Sequence, residues 1–438
     1  MRVSSGMIYD AGVLGMNRHS ANLVNLQQQI SSGRRILTPS DDPVAAARAL
    51  EVQQSSDVVA QFKQNLGEAT SSLGMEETQI ASANDLLGRV RELTVQAGNT
   101  SLTSDQRKSI AIELRSRFDE LLGLANATDG GGQHIFAGFM GSVTPFAGTV
   151  DYINKNYVNN VYPQNEIVYQ GDDGQRQLQV SPSRSIGISD SGNDVFNRIK
   201  NGNGYFSNGY DTGNTGTGVV DAGNVTDPSA WNASVKNISI KFTVTSGVTT
   251  YDLVDKASGN SLLTGSAAPA PLASQRVFQS GQPIVLKAQG AEPSFDLGSS
   301  LKITGEPATG DGFSIAPSQS QSVFATIAHL VSALEGAAAT PADNAKYANE
   351  IGFALANLDQ ASQNFTRVRT IIGARMNEID SLGQLNENLG LQYQQTLSNL
   401  QDLDYAKAIS DFTRQQTDLQ AAQQSFVQIA KLSLFNYL

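Results

Sequence analysis

The stretch Ser31–Leu50, SSGRRILTPSDDPVAAARAL, stops one helical pattern and starts another. Pro39 lacks the backbone N–H that a helix interior needs, and Asp42 carries a side-chain oxygen that can accept hydrogen bonds from a first helical turn. Proline is favoured at the first helical position, so Pro43 suits the residue after the cap. We therefore predict a helix that begins at Pro43 and is capped by Asp42.

The polar residues around this break allow two interpretations. Paired carboxylates such as Asp41 and Asp42 serve acid–base catalysis when neighbouring groups separate their pKa values, but no His, Lys or second acidic cluster lies nearby in the sequence. Arg34 and Arg35 can pair with these carboxylates, and an exposed pair contributes only about 0–1 kcal/mol. We interpret the segment as a hinge and cap formed by Arg34, Pro39, Asp41, Asp42 and Pro43.

A seven-residue repeat of apolar residues follows Pro43. With a companion series three residues further on, it has the pattern of a coiled-coil seam. It predicts one helix from Pro43 to about Ala97, on the order of 80 Å long. Thr103 and Gln106 then form a capping-box pattern for a helix that can fold back on the first. The seam residues are Ala45, Val52, Val59, Leu66, Leu73, Ile80 and Leu87, with Phe62, Ala69, Ala83 and Val90.

The carboxyl-terminal region has the same period. Apolar residues recur every seven positions from Ile351 to Ile379, which predicts a second long helix. The phase slips near Leu400, and such a slip marks a boundary between two packing partners. A new series then runs through Tyr405, Phe412, Leu419 and Phe426, with Ile429 in a companion position, and a matching series at the amino end runs through Tyr9, Met16, Leu23 and Ile30.

The middle of the chain has a different character. Ten of the 13 prolines lie between Pro145 and Pro317. Stretches such as NGNGYFSNGYDTGNTGTG (201–218) and ISIKFTVTSGVTTYDLV (238–254) predict short strands joined by Gly/Asn turns. We predict a mainly α fold with an inserted β domain. Its amino- and carboxyl-terminal arms form a long antiparallel coiled-coil helical bundle, accompanied by a β-hairpin region and an outer β-rich domain.

The nested repeats predict three domains. Residues 1–42 and 395–438 form terminal helices at the inner core of an assembly, residues 43–196 and 321–394 form the long-helix bundle, and residues 197–320 form the outer domain.

The terminal segments are rich in amides, as in NLQQQI and TRQQTDLQAAQQSFVQIA. We expect the two terminal segments to pair with each other. A pair that buries little surface does not offset its ordering entropy, so we expect both segments to stay mobile until other copies cover them. An ordinary two-stranded coiled coil is the alternative. The predicted assembly interface is Tyr9, Met16, Leu23, Ile30, Tyr405, Phe412, Leu419, Phe426 and Ile429.

Composition excludes several function classes. The net charge of −11 argues against nucleic acid as a partner, because neutralising phosphates requires basic patches. The chain contains 0 cysteines, which excludes disulfides and thiolate chemistry. No apolar run approaches the roughly 20 residues that span a bilayer, so we expect no membrane insertion. The amino end lacks the apolar stretch of a cleavable secretory signal.

Candidate sites for chemistry are weak. His19, His134 and His329 are scattered without metal-ligand spacing. The stretches GDDG (171–174) and DSGND (190–194) lack the full spacing of calcium loops, and turn chemistry accounts for both. We expect no catalytic residue, metal or cofactor, and no enzymatic activity. Two alternatives from other classes are a coiled-coil signalling receptor, which would need a membrane span, and a secreted glycan-binding or glycan-cleaving protein that uses Tyr205, Phe206, Tyr210 and Trp231.

Four stretches resemble a known family. SSGRRILTPSDDPVAAARAL and the ending SLFNYL are similar to the two ends of bacterial flagellins and their relatives. HIFAGFMGSVTPF (134–146) and VYQGDDGQRQLQVSPSRSIGISDSGNDVF (168–196) resemble the members of that family that join the flagellar hook to the filament. The resemblance covers roughly residues 1–196 and 321–438 and leaves out the middle.

The resemblance implies a structural role in the flagellum. It implies self-assembly into a ring between hook and filament, next to another hook-associated protein on the hook side and to flagellin or a filament-side junction protein. It further implies a cytosolic export chaperone, export through the flagellar type III apparatus, and an extracellular location. A flagellin filament subunit is the close alternative within the family.

Overall fold

The computed structural model describes residues 5–99, 101–151, 167–234, 237–336 and 340–431. Long helices lie at both ends of the described chain. The helices are α1 (Ser5–Ser32), α2 (Pro43–Ala97), α3 (Ser104–Ala125), α4 (Pro228–Ala233), α5 (Val323–Glu335), α6 (Pro341–Gln401) and α7 (Tyr405–Lys431).

Short strands occupy the region between α3 and α5. They are β1 (Phe146–Ala147), β2 (Val168–Tyr169), β3 (Gln177–Ser181), β4 (Arg184–Gly187), β5 (Ile199–Lys200), β6 (Phe206–Tyr210), β7 (Val219–Val220), β8 (Asn224–Val225), β9 (Ile238–Thr245), β10 (Val248–Asp255), β11 (Arg276–Val277), β12 (Pro283–Lys287), β13 (Asp296–Thr304), β14 (Gly312–Pro317) and β15 (Ser320–Gln321). All their pairings are antiparallel.

The predicted fold class is confirmed. Helix α2 covers Pro43–Ala97, as the heptads predict, and α6 and α7 are separate helices on either side of the predicted slip. Nearly all predicted seam positions of α2 are buried, and Leu73 and Ile80 have no exposed surface. The capping box of α3 is present, because the Thr103 side chain accepts from Gln106 N while the Gln106 side chain accepts from Thr103 N.

The chain divides into two compact units. The terminal unit comprises residues 1–67, 179–184 and 380–438, and the central unit comprises residues 68–178 and 185–379. The terminal unit contains α1, α7, the first part of α2, the last part of α6 and the tip of the β3–β4 hairpin. It therefore contains every described residue of the predicted assembly interface.

Phenylalanine side chains form the helical core of the central unit. Phe146 and Phe196 have ring centroids 5.5 Å apart, Phe196 and Phe365 are also 5.5 Å apart, and Phe118 lies 5.7 Å from Phe324. All of these rings are fully buried. Edge-on aromatic packing of this kind adds about 0.5–1.5 kcal/mol per pair to the free energy of burial, so it fixes the loops between α3 and α5 against the long helices.

The inserted β region has a core of its own. A five-stranded sheet of order β11-β10-β9-β14-β6 and a smaller sheet of order β12-β13-β7 contribute their buried faces to one apolar cluster. The predicted hairpin over 238–254 is formed by β9 and β10, and Ser246 and Gly247 turn the chain with φ angles of 52° and 80°. The chain enters this region at β5 and returns at β15, and these two strands pair with each other.

Candidate assembly surface

Helices α1 and α7 pack against each other in the terminal unit. The predicted stripes face one another: Met16, Leu23, Ile30, Phe412, Leu419 and Phe426 are all partly buried. The ring of Tyr9 lies 4.8 Å from that of Phe426, centroid to centroid, and both Tyr9 and Tyr405 remain about half exposed, at 55% and 50%. The side chain of Ile429 lies outside the described residues. The two terminal segments thus pair within one subunit, and their stripes cover each other in part.

Small and polar residues set the distance between these two helices. Gly12 lets the Phe426 ring approach closely, because a Cβ at position 12 would lie only 3.0 Å from Phe426 Cδ2. His19 Nδ1 and Gln415 Oε1 are 2.8 Å apart and form a hydrogen bond across the pair. Because the large side chains of this seam are only partly buried, the pair gains modest stability from its own contacts.

Both helices also carry exposed apolar residues outside the seam, which the heptad pattern does not mark. Leu14 is 57% exposed and, at about 100° per residue, lies on the side of α1 opposite the Met16–Leu23 stripe. On α7, Ile409 and Val427 are 53% and 50% exposed and lie about five turns apart on one side, which flanks the Phe412–Phe426 stripe. The seven-residue repeat marks the stripes that pack within the subunit. Leu14, Ile409 and Val427 do not belong to that repeat, so the sequence pattern does not reveal them.

The rest of the terminal unit shows the same exposure. The amino-terminal part of α2 and the carboxyl-terminal part of α6 present further large apolar side chains to solvent, namely Val44, Leu50, Val58, Leu385 and Leu391. These side chains add exposed apolar surface to the unit that contains the helix pair.

The hinge has the capping geometry that its sequence suggests. Asp42 Oδ1 accepts a hydrogen bond of 3.0 Å from Ala45 N in the first turn of α2, which begins at Pro43. Asp41 Oδ2 accepts from Thr38 N at 2.8 Å and from Leu37 N at 3.0 Å, so it closes the turn that contains Pro39.

These hydrogen bonds also favour the charged carboxylates. The Thr38 N–H holds the pKa of Asp41 below its ordinary value, and the Ala45 N–H together with the Arg35 guanidinium does the same for the pKa of Asp42. Both carboxylates are thus turn-forming acceptors, in line with the capping interpretation.

The hinge is joined to the break between α6 and α7. Arg35 N donates to Gln401 O at 2.7 Å, and Leu403 N donates to Gly33 O at 2.9 Å. The Arg35 guanidinium donates to Leu400 O at 2.8 Å and lies 3.3 Å from Asp42 Oδ2. Arg34 contributes a backbone bridge to Asp402, whereas the Arg35 side chain contacts both Leu400 O and Asp42.

Gly33 has a specific reason to be glycine. Its φ of +71° lies in the left-handed region, and a Cβ there would lie 2.9 Å from the Tyr405 hydroxyl. Both the turn that ends α1 and the close approach of α7 favour a residue without a side chain. Two breaks far apart in the sequence therefore form one joint.

The other candidate sites have structural roles. His134 Nδ1 contacts Asn126 O at 2.7 Å, and burial lowers the pKa of His329 to about 4. Phe206 and Trp231 lie in the core of the β region, so the proposed glycan-binding aromatics do not share one surface. Within the described ranges, no group of three or more acidic or histidine side chains could hold a metal ion. No helix described is long and apolar enough to cross a bilayer.

Two family models match the chain. One describes the bacterial flagellin N-terminal helical region and matches residues 3–140, and the other describes the flagellin C-terminal helical region and matches residues 355–438. Together they span just over half of the chain and include both α1 and α7.

Individual relatives point to one branch of this family. The chain is 32% identical to flagellar hook-associated protein 3 of Salmonella typhimurium over 199 residues, which are 45% of this chain and 58% of that protein. It is 24% identical to the Escherichia coli protein of the same name over 436 residues, 99% of each chain. The crystal structure of flagellar hook-associated protein 3 from Legionella pneumophila aligns with a TM-score of 0.70 and 28% identity, covering 80% of this chain and 98% of that one.

The alignment spans less than two thirds of the Salmonella relative, and nearly all of the Escherichia coli relative. The two matched regions hold the long helices that the heptads predicted, and the solved structure supports the same arrangement of helices and inserted strands. The chain therefore belongs to the bacterial flagellin family, and its relatives there include flagellar hook-associated proteins.

Proposed function

We propose that this protein is a structural subunit of the junction between the flagellar hook and filament, where copies assemble into a ring through the terminal unit. The observation that carries the proposal is the helix pair α1–α7, whose inward stripes cover each other while Leu14, Ile409 and Val427 remain exposed. Relatives named as hook-associated proteins support the position at the junction.

The site residues divide into two roles in this proposal. One set of residues holds the helix pair together and, with Leu14, Ile409 and Val427, forms the packing surface of the ring. This set is Tyr9, Met16, Leu23, Ile30, Tyr405, Phe412, Leu419 and Phe426. Arg34, Pro39, Asp41, Asp42 and Pro43 form the joint that sets the direction of α2 relative to α1. The role is mechanical, and no catalytic step is part of it.

Partners and location follow from the same proposal. The ring contacts a hook-associated protein on its hook side and flagellin or another junction protein on its filament side. A cytosolic chaperone holds the subunit before the flagellar type III apparatus exports it to the cell exterior. We further propose that residues 197–320 form an outer domain, and the pairing of β5 with β15 at its base and its separate core support this division.

Electron microscopy of motile cells that lack the gene tests the proposal. We expect hooks without filaments, with flagellin shed into the medium, because the filament would lose its attachment. Loss of a filament subunit would also leave bare hooks, but without shed flagellin. Normal filaments would exclude the junction role.

A further inference from the structure

Two stretches that resemble hook–filament junction members of the family meet in the central unit. The turn around Ala137–Met140 belongs to HIFAGFMGSVTPF, and the turn around Gly171–Gly174 belongs to VYQGDDGQRQLQV. Asp172 joins them: its Oδ1 accepts from Phe139 N at 3.0 Å and from Gly174 N at 2.6 Å, while its N–H donates to Ala137 O at 3.2 Å. Asp172 thus forms three hydrogen bonds where these two turns meet. We call the two joined turns the clasp.

Further contacts make this clasp rigid. The Tyr169 hydroxyl lies 2.9 Å from Phe136 O and 2.8 Å from Asp172 O, so it contacts backbone oxygens of both stretches. Gly138 has a φ of +69°, and a Cβ there would overlap Asp172. Phe136 and Ala137 have no exposed surface, which anchors the turn in the aromatic core.

The clasp presents two large apolar side chains to solvent. Phe139 is 68% exposed and Met140 is 45% exposed. The Phe139 ring lies over Gly174, where any Cβ would overlap it. We call these two side chains the Phe139–Met140 patch. An isolated exposed apolar residue is ordinary, but here the hydrogen bonds of Asp172 and Tyr169 and two glycines fix the turn that carries the exposed aromatic ring.

Rigid display of an aromatic side chain is a property of binding surfaces. Protein interfaces are enriched in aromatic residues and methionine, and a side chain already held in place loses little entropy on binding. We propose that the Phe139–Met140 patch contacts a second copy of this chain in the ring. This inference rests on the proposed function, because it requires neighbouring copies.

The size of the patch favours a second copy over a soluble partner. Two side chains fall far below the roughly 800 Å² per partner that a stable pair of proteins buries. Such a contact stabilises only where other contacts already hold the partners at high effective concentration, as in a closed ring of identical subunits. An uncharged patch also suits copies that each carry a net charge of −11. The contact would set the register between central units.

Site-specific labelling tests the proposal directly. The natural chain contains 0 cysteines, so Phe139→Cys carries a unique thiol. We expect a maleimide reagent to label this thiol quickly in the purified subunit and at least about tenfold more slowly in isolated flagella, because the assembled patch is covered. Val277→Cys is the matched control: Val277 is 64% exposed in the inserted β region, and we expect equal labelling in both states.

Photo-crosslinking identifies the covering protein. With p-benzoylphenylalanine at position 139, we expect a product of twice the subunit mass from assembled flagella. A product with a different protein, equal labelling in both states, or protection already in the purified subunit would overturn the proposal.

A functional variant supplies a second readout. Phe139→Ser/Met140→Ser should be exported normally and keep the thermal transition of the subunit, yet reduce filament number, whereas Val277→Ser should not. Normal filaments on the double variant would count against the patch. If deletion of the gene leaves filaments intact while the crosslink to a second copy forms, the junction role fails and the patch stands.

Discussion

The backbone N–H of Asp190 donates a hydrogen bond of 2.9 Å to Oε1 of Glu76, a side chain with no exposed surface on α2. Glu76 lies three residues after Leu73, at a companion position of the α2 seam. The other companion residues named above are apolar: Phe62, Ala69, Ala83 and Val90. The Asp190 carboxylate pairs with Arg375 through two contacts of 2.9 Å. A buried acid in the seam thus ties α2 to the segment that follows β4.

This acid predicts a pH dependence of stability. Burial, with a further contribution from the Asp190 carboxylate, raises the pKa of Glu76 to about 8 from 4.5. The folded chain therefore keeps a proton that the unfolded chain has lost, and the free energy of unfolding falls as the pH rises between these two values. The slope is up to about 1.4 kcal/mol per pH unit, and the contribution is constant above about pH 8.

Glu76→Gln should flatten this slope, because an amide does not titrate. Denaturant unfolding of the natural chain and the variant from pH 5 to pH 9 measures it. Glu77→Gln is the control, since Glu77 lies next to it and pairs with Arg369 at 2.6 Å on a partly exposed surface. Parallel curves for the natural chain and Glu76→Gln would exclude Glu76 as the source.

The long helices could be predicted from the sequence for a clear physical reason. A seven-residue repeat and a capping pair are local signals, so Pro43 and Ala97 emerge as the ends of α2, and Thr103 as a cap, without knowledge of the partner helix. The same repeat hides Glu76, because a period search counts apolar positions and passes over one buried acid among them.

The candidate site was less predictable because its contacts join distant parts of the chain. The stripes through Met16 and Phe412 are visible as repeats, and the nested repeats predict that the terminal segments pair, but no sequence signal says which side chains meet. The contacts of Arg35 with Leu400 and Gln401 depend on how the segment after α1 meets the end of α6 in space. Outward residues such as Leu14 do not stand out until the packed side of α1 is known.

The hinge contacts of Arg35 predict a local effect. Arg35→Ala removes the donor to Leu400 O and the contact with Asp42, and a hydrogen bond of this kind contributes about 0.5–1.5 kcal/mol. We expect amide exchange in residues 33–42 and 400–404 to accelerate by a factor of about 2–10 while the central unit is unchanged. Arg34→Ala, one residue away and exposed, should have little effect. Equal exchange in both variants would show that the backbone bonds suffice.

The inserted β region depends on one buried amide of α6. Asn349 is 1% exposed, its Oδ1 accepts from Val220 N at 2.8 Å, and its Nδ2 donates to Gly218 O at 3.1 Å. Asn349→Leu leaves both backbone groups buried without these partners, which should cost about 1–3 kcal/mol in the free energy of unfolding. Asn344→Leu, at an exposed position of the same helix, should change it by less than about 0.5 kcal/mol. Calorimetry of both variants decides, and similar transition temperatures would argue against a bonded role for Asn349.

The last prediction separates pairing within a subunit from packing between subunits. Phe426 packs on Tyr9 and Gly12, so Phe426→Asp should separate α1 from α7 already in the purified chain, seen as faster amide exchange in both helices. Leu14 points away from that seam, so Leu14→Asp should leave exchange in the purified chain unchanged. In the ring, the same carboxylate would be buried without a partner, at a cost of several kcal/mol in every subunit. We therefore expect both variants to abolish filaments, but only Phe426→Asp to alter the isolated subunit.

Two measurements make this comparison decisive. The amount of protein secreted into the medium separates an assembly defect from an export defect, because only exported variants report on assembly. Leu14→Met keeps an apolar side chain of similar size and should preserve most filaments, which assigns the effect to the charge. If Leu14→Asp is secreted at normal levels and cells still grow filaments, then the outward side of α1 is not covered in the ring, and the packing surface must lie on other residues of the terminal unit.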